Sequence, residues 1–185
     1  MKNTNTTPRE KRKQRSKYIK ELCIFAMMGA LMFVTKKMME FLPNIHLLGM
    51  FCVTLTAVFR VKALIPIYLY VFLDGLISGF SLWWIPYLYI WTVLWAMTMA
   101  TPKNMKPGAM IIVYPLLAAF HGIIFGALYA PFQAILYDFS FDQTIKWIIA
   151  GLYFDVTHAI GNFFAGMLIV PSIKILKSLL KSANM

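Results

Sequence analysis

Six apolar runs separated by short polar gaps leave this chain few environments in which it can fold. They cover roughly residues 21–42, 46–59, 63–80, 83–100, 109–129 and 145–175. A helix rising ~1.5 Å per residue needs about 20 apolar residues to cross ~30 Å of hydrocarbon. The runs bracket that length, although the second is short and the last has room for an interfacial turn. Pro43, Gly79, Pro102 and Pro107 punctuate the gaps. The expected fold is an all-α integral membrane protein, a compact bundle of six transmembrane helices over residues 21–178. A basic tail over 1–20 and a short end over 179–185 flank it. No cleavable leader is expected, because five more apolar runs follow the first and no small-x-small site ends it.

Composition agrees. The hydrophobic set makes up 60% of the chain and charged residues 14%, against about 25% charged in a soluble domain. That balance excludes disorder, a disulfide scaffold and an ordinary water-soluble enzyme. Cys23 and Cys52 each lie inside an apolar run, where a thiol behaves as a small hydrophobe. The net charge of +11 resides largely in the tail, where eight of the 18 basic residues fall in the first 20 positions. This is not the footprint of a nucleic-acid groove. Counted by loop, the tail, Arg60 with Lys62, Lys103 with Lys106, and Lys174, Lys177 and Lys181 all fall on one side. The opposite loops hold only Lys146. Both termini are therefore expected in the cytoplasm.

Polar side chains inside apolar runs are costly in lipid, so they usually face the bundle interior. Here they are Lys36, Lys37, Glu40, Asp74, His121, Asp155, His158 and Asn162. On the expected topology they are skewed toward the outer face, as in a cavity open to the outside. Asp155, His158 and Asn162 have spacings of three, four and seven and share one helical face. Two roles are open to them: recognition of a ligand by a few placed polar groups, or an interhelical hydrogen-bond cluster. Two potential ligands do not make a metal site, and none is expected. Trp84, Tyr87 and Trp91 also read as one face. Aromatic residues at a boundary commonly form an interface belt, but Trp91 and Trp95 lie deeper, where a stripe of rings suits a planar ligand. Tyr129 and Gln133 sit where they line the same mouth. Small residues recur one turn apart at Ala26 and Ala30, Gly122 and Gly126, and Gly161 and Ala165. Such pairs let helices approach closely.

No GxxxxGK[ST], HExxH, GxSxG or CxxC occurs, so neither P-loop ATP hydrolysis nor a familiar catalytic centre is indicated. A six-helix chain with an outward pocket and no engine binds a solute and takes its energy from a partner.

The whole chain resembles a substrate-binding S component of an energy-coupling factor (ECF) transporter, the vitamin importers of many Gram-positive bacteria. The resemblance rests on its size, six runs with both termini inside, the basic N-terminal tail and the Ala26-x-x-x-Ala30 pair. It implies a multi-pass protein of the cell membrane that is not itself an enzyme and holds no covalent cofactor. It implies a coupling transmembrane subunit and two ABC-type ATPases as partners, with ATP used by those partners alone. An AxxxA-type motif on the first helix packs against the coupling subunit in that family, so the resemblance assigns this role to Ala26 and Ala30. It also implies a pocket near the outer face, built mainly from helices four to six and the loop after helix one.

On residue chemistry, Trp84, Tyr87 and Trp91 favour a flat ring. Asp155 and His158 suit a ring nitrogen or hydroxyl, and Asn162 a hydroxymethyl or amide group. Lys36 and Lys37 near the mouth leave room for a carboxylate or phosphate. Pyridoxine-like or hydroxymethylpyrimidine-like compounds fit this set better than a dinucleotide or corrinoid. Two other classes remain open: a self-sufficient transporter carrying protons on Asp74 or Asp155, and a small intramembrane enzyme using Asp155 and His158.

Overall fold

The computed structural model describes residues 7–183, and these are helical without a strand. α1 (Pro8–Met38) begins in a capping box. The Thr7 hydroxyl accepts from the Glu10 amide at 3.3 Å, and the Glu10 carboxylate accepts from the Thr7 amide at 2.7 Å. Pro8 follows in the first turn, where its missing N–H costs nothing. The basic segment expected as a separate tail is thus helical from Pro8, and no break falls at residue 20.

Among the described residues, four helical stretches are long and apolar enough to cross a membrane: Pro8–Met38, Leu48–Ser78, Pro107–Tyr137 and Phe141–Gly166. The second is not one rod. It comprises α2 (Leu48–Phe59), a 3-10 turn (Arg60–Ala63) and α3 (Leu64–Ser78). α2 runs against α1, since the rings of Phe25 and Phe59 lie 5.0 Å apart while Leu31 and Phe51 share a groove further along. α3 runs with α1, because Glu21 pairs with Lys62 at 2.8 Å and Lys37 approaches Asp74 at 3.9 Å. The chain therefore reverses at Arg60, whose φ of 55° lies in the left-handed region. A non-glycine residue there is strained by roughly 1–3 kcal/mol and needs outside support. Its guanidinium supplies some by donating to Met99 O at 2.8 Å, and its carbonyl accepts from Trp95 Nε1 at 3.1 Å.

A short 3-10 turn (Leu82–Trp84) leads into α4 (Tyr87–Met99), followed by α5 (Pro107–Ile123) and α6 (Phe125–Tyr137). Only Ile124 separates the last two, so the fifth apolar run continues through a bend and ends later than expected. α7 (Phe141–Gly166) opens on a second capping box, Ser140 with Gln143, and α8 (Ile169–Ser182) follows a break at Met167 and Leu168. The sixth run is thereby split in two.

α7 lies antiparallel to α5 and α6 from Pro115 to Tyr129. Closest approaches are Pro115 with Gly166, Gly122 with Ala159 and Gly126 with Asp155. A Cβ on Gly122 would stand 2.8 Å from the Ala159 backbone, which is why this GxxxG carries no side chains. At the bend the Gly126 N–H donates to Asp155 Oδ1 at 3.0 Å, within a part-buried contact. A backbone donor left bare in lipid would cost several kcal/mol. Met32, Leu55, Ile67, Tyr70, Trp91 and Ile169 form the core. Outside it, Met27, Phe72, Ile112, Phe120, Tyr153 and Phe164 are each more than half exposed. Apolar surface on every side is unstable in water and is what acyl chains would cover.

Candidate functional site

The connection between α1 and α2 carries a Pro43-Asn44 turn, with Asn44 at φ 59°. Asn tolerates this left-handed geometry better than a branched residue. The turn folds over the bundle end, and beneath it lies a cavity of about 210 Å³. Its lining includes Lys36, Glu40, Asn44, His46, Tyr87, Phe125 and His158.

Two imidazoles form the polar floor. The rings of His46 and His158 lie 4.8 Å apart at 72°, and both residues are buried. Trp91 stands behind them, 6.0 Å from His46 and 5.9 Å from Tyr87. Phe125 packs edge-on to His158 at 4.9 Å. His121, on the far side of Trp91, meets Ile90 O through Nε2 at 3.1 Å. An imidazole N–H is the donor there. His46 Nδ1, His158 Nε2, Trp91 Nε1 and His121 Nδ1 have no hydrogen-bond partner among the described residues. Buried polar atoms are almost always paired, and of these four His46 and His158 line the cavity, which makes it the candidate site; Tyr70 Oη, Asp155 Oδ2 and Asn162 Oδ1 are bare as well. His46 lies between helices, and burial pushes its imidazole down to about 3, keeping it uncharged near neutral pH.

Charge is sorted at the rim. Lys37 Nζ lies 3.0 Å from Glu40 and 3.9 Å from Asp74. Its ammonium holds the Glu40 carboxyl below the usual range, chiefly through the hydrogen bond. Lys36 also lines the cavity, is half-buried, and makes no ion pair or hydrogen bond among the described residues. Comparison with protein-family models, curated proteins and solved structures finds no match. The site has to be read from its own chemistry.

Of the residues singled out from sequence, Lys36, Tyr87 and His158 line the cavity, and Trp91 backs it. Trp84 does not share the α4 face with Tyr87 and Trp91: it sits in the preceding 3-10 turn, donates to Val71 O at 2.7 Å and packs on Phe80. Tyr129 donates to Trp83 O at 2.8 Å and stacks on Trp147 and on Phe125, so it adjoins the lining without being part of it. Asp155, His158 and Asn162 are all buried, as their spacing predicts. Only His158 faces the cavity, however. Asp155 answers the α5–α6 bend, and Asn162 donates to Ala118 O at 3.2 Å. Ala26 and Ala30 lie exposed on α1.

His46 and Phe125 are cavity residues that sequence reasoning passed over. His46 opens an apolar run, and nothing local distinguishes it. A signal existed in the composition, since the chain has three histidines and all three are buried around Trp91 and Phe125.

Proposed function

We propose that this chain is a membrane-embedded solute-binding subunit, the S component of an ECF-type importer. In this reading six helical segments (α1, α2, α3, α4, α5–α6 and α7–α8) form the bundle in a cell membrane. Both termini are cytoplasmic and the cavity opens outward. It captures a small planar heterocycle of pyridoxine-like or hydroxymethylpyrimidine-like size. It delivers that solute by association with a coupling subunit and two ABC-type ATPases. The observation that carries the reading is the aromatic cavity with bare imidazole nitrogens at one end of an apolar bundle. The exposed Ala26–Ala30 surface supports the partner half of it, because small residues on an open helix face allow close approach of another helix.

The test separates capture from delivery. Ala26→Trp or Ala30→Trp is expected to leave solute binding by the purified chain intact and to abolish uptake in cells expressing the coupling module. Normal uptake in both variants would remove α1 from the interface. Uptake by the chain alone in energised, ATPase-free vesicles would favour a proton-coupled carrier instead.

A further inference from the structure

The rim chemistry allows the solute class to be narrowed, on the reading of the chain as a solute-binding subunit. We infer that the cavity takes a single-ring heteroaromatic carboxylate, its ring against Tyr87, Phe125 and the His46–His158 floor and its carboxylate against Lys36. Volume sets the size. About 210 Å³ falls below the ~300–1,000 Å³ of pockets for drug-sized ligands, so one substituted ring is the fitting occupant. The walls set the shape, because Tyr87, Phe125, His158 and His46 form one continuous aromatic wall, which favours a flat partner with edge-on and stacked contacts.

Hydrogen bonding sets the ring type. His46 Nδ1 and His158 Nε2 are bare, and an uncharged imidazole nitrogen donates or accepts according to tautomer. A ring bearing its own nitrogen or hydroxyl answers such a pair, whereas a plain hydrocarbon ring leaves both unpaired. Charge sets the substituent. Glu40 is the carboxylate of the lining, and Lys37 engages it. A cationic solute therefore finds no free acid. Among the described residues, Lys36 is the lining cation without an ion pair or hydrogen bond, although Asp74 and Glu40 feel its charge; it is half-buried, where an ammonium–carboxylate contact is stronger than in open water. One ammonium balances one carboxylate, and among the described residues no second cation lines the cavity to meet a doubly charged phosphate.

The experiment uses the full chain purified in detergent and reads tryptophan fluorescence, since Trp91 adjoins the cavity. Probes are pyridine-3-, pyrimidine-5- and pyrazine-2-carboxylate, each beside its carboxamide and its aminomethyl analogue. At least one acid is expected to bind roughly tenfold or more tightly than its amide, the scale of a charge-assisted hydrogen bond. Lys36→Gln should bring that acid down to the amide's affinity and leave the amide unchanged, while Lys36→Arg retains the preference. An equal or better amide, a preferred amine, or a preference that survives Lys36→Gln overturns the inference. Mass spectrometry of compounds extracted from the same preparation separates the two levels. A neutral or cationic ring on the protein overturns the carboxylate and leaves solute capture standing. A protein that carries nothing and binds no probe overturns both.

Discussion

Two cavities of nearly equal size lie in this molecule, and they differ in almost everything else. The one beneath the 39–47 turn measures about 210 Å³, and that between α1, α2 and α8 about 200 Å³. The second is lined by Met28, Leu31, Phe51, Leu55, Ile175 and Leu176, among others, with only Thr54 and Ser172 polar. Both hydroxyls lean on the Met50 sulfur, at 3.6 and 3.9 Å, and leave nothing bare. In the first, imidazole nitrogens lack any partner. Volume alone therefore does not identify a site. An apolar groove in an apolar bundle is filled adequately by a lipid chain, while a buried nitrogen without a partner is not.

The largest effects should test whether the two cavities are energetically separate. Trp91→Ala removes a fully buried indole and should cost about 3–5 kcal/mol in stability, seen as a lower melting temperature in detergent, together with loss of solute binding. Leu176→Ala in the groove should cost about 2–5 kcal/mol while leaving the dissociation constant within about twofold. An equal fall in affinity in both variants would break the distinction.

His158→Ala sharpens it within a single helix. Removing a group that meets the solute should cost about 1–3 kcal/mol, or roughly five- to 150-fold in dissociation constant by calorimetry. Asp155→Ala, one turn away, should lower the melting temperature instead, because the Gly126 N–H loses its acceptor. Comparable affinity losses in the two would put Asp155 back at the solute.

Gly122→Ala should destabilise by about 1–3 kcal/mol, since its new methyl meets the α7 backbone. Gly151→Ala, with nothing within 4 Å, should stay within about 0.5 kcal/mol of neutral or gain slightly from helix propensity. The last effect is one of pH. The His46 imidazole titrates near 6.5 when unfolded and near 3 when buried, so the unfolded chain takes up the proton first. Stability is full above about 6.5 and falls as pH drops toward 3, by about 1.4 kcal/mol at pH 5.5. His46→Gln should flatten that part of the melting curve relative to the parent; an unchanged slope would remove His46 as its source.

The helical character, the apolar surface and the buried Asp155–His158–Asn162 face all follow from periodicity, which depends on neighbours three or four residues away. What that face does is a different matter. Asp155 turned toward a bend at Ile124 that no local signal announces, and Asn162 toward a carbonyl 44 positions away. Trp84 left the α4 face because Pro86 starts that helix after the residue, so the helical spacing did not extend to it.

Sequence by itself determined that these residues form apolar helices, that basic residues cluster in particular gaps, and that a few polar groups must be sheltered. Those properties reside in short stretches and in the cost of polar groups in hydrocarbon. Only the tertiary structure decided which sheltered groups satisfy one another and which are left bare. It set Lys37 on Glu40 and left Lys36 without an ion pair or hydrogen bond among the described residues, and it brought His46 beside His158 from 112 positions away. Hydrogen bonds and ion pairs act over a few ångströms in space, and helix packing, with the reversal at Arg60, sets those distances.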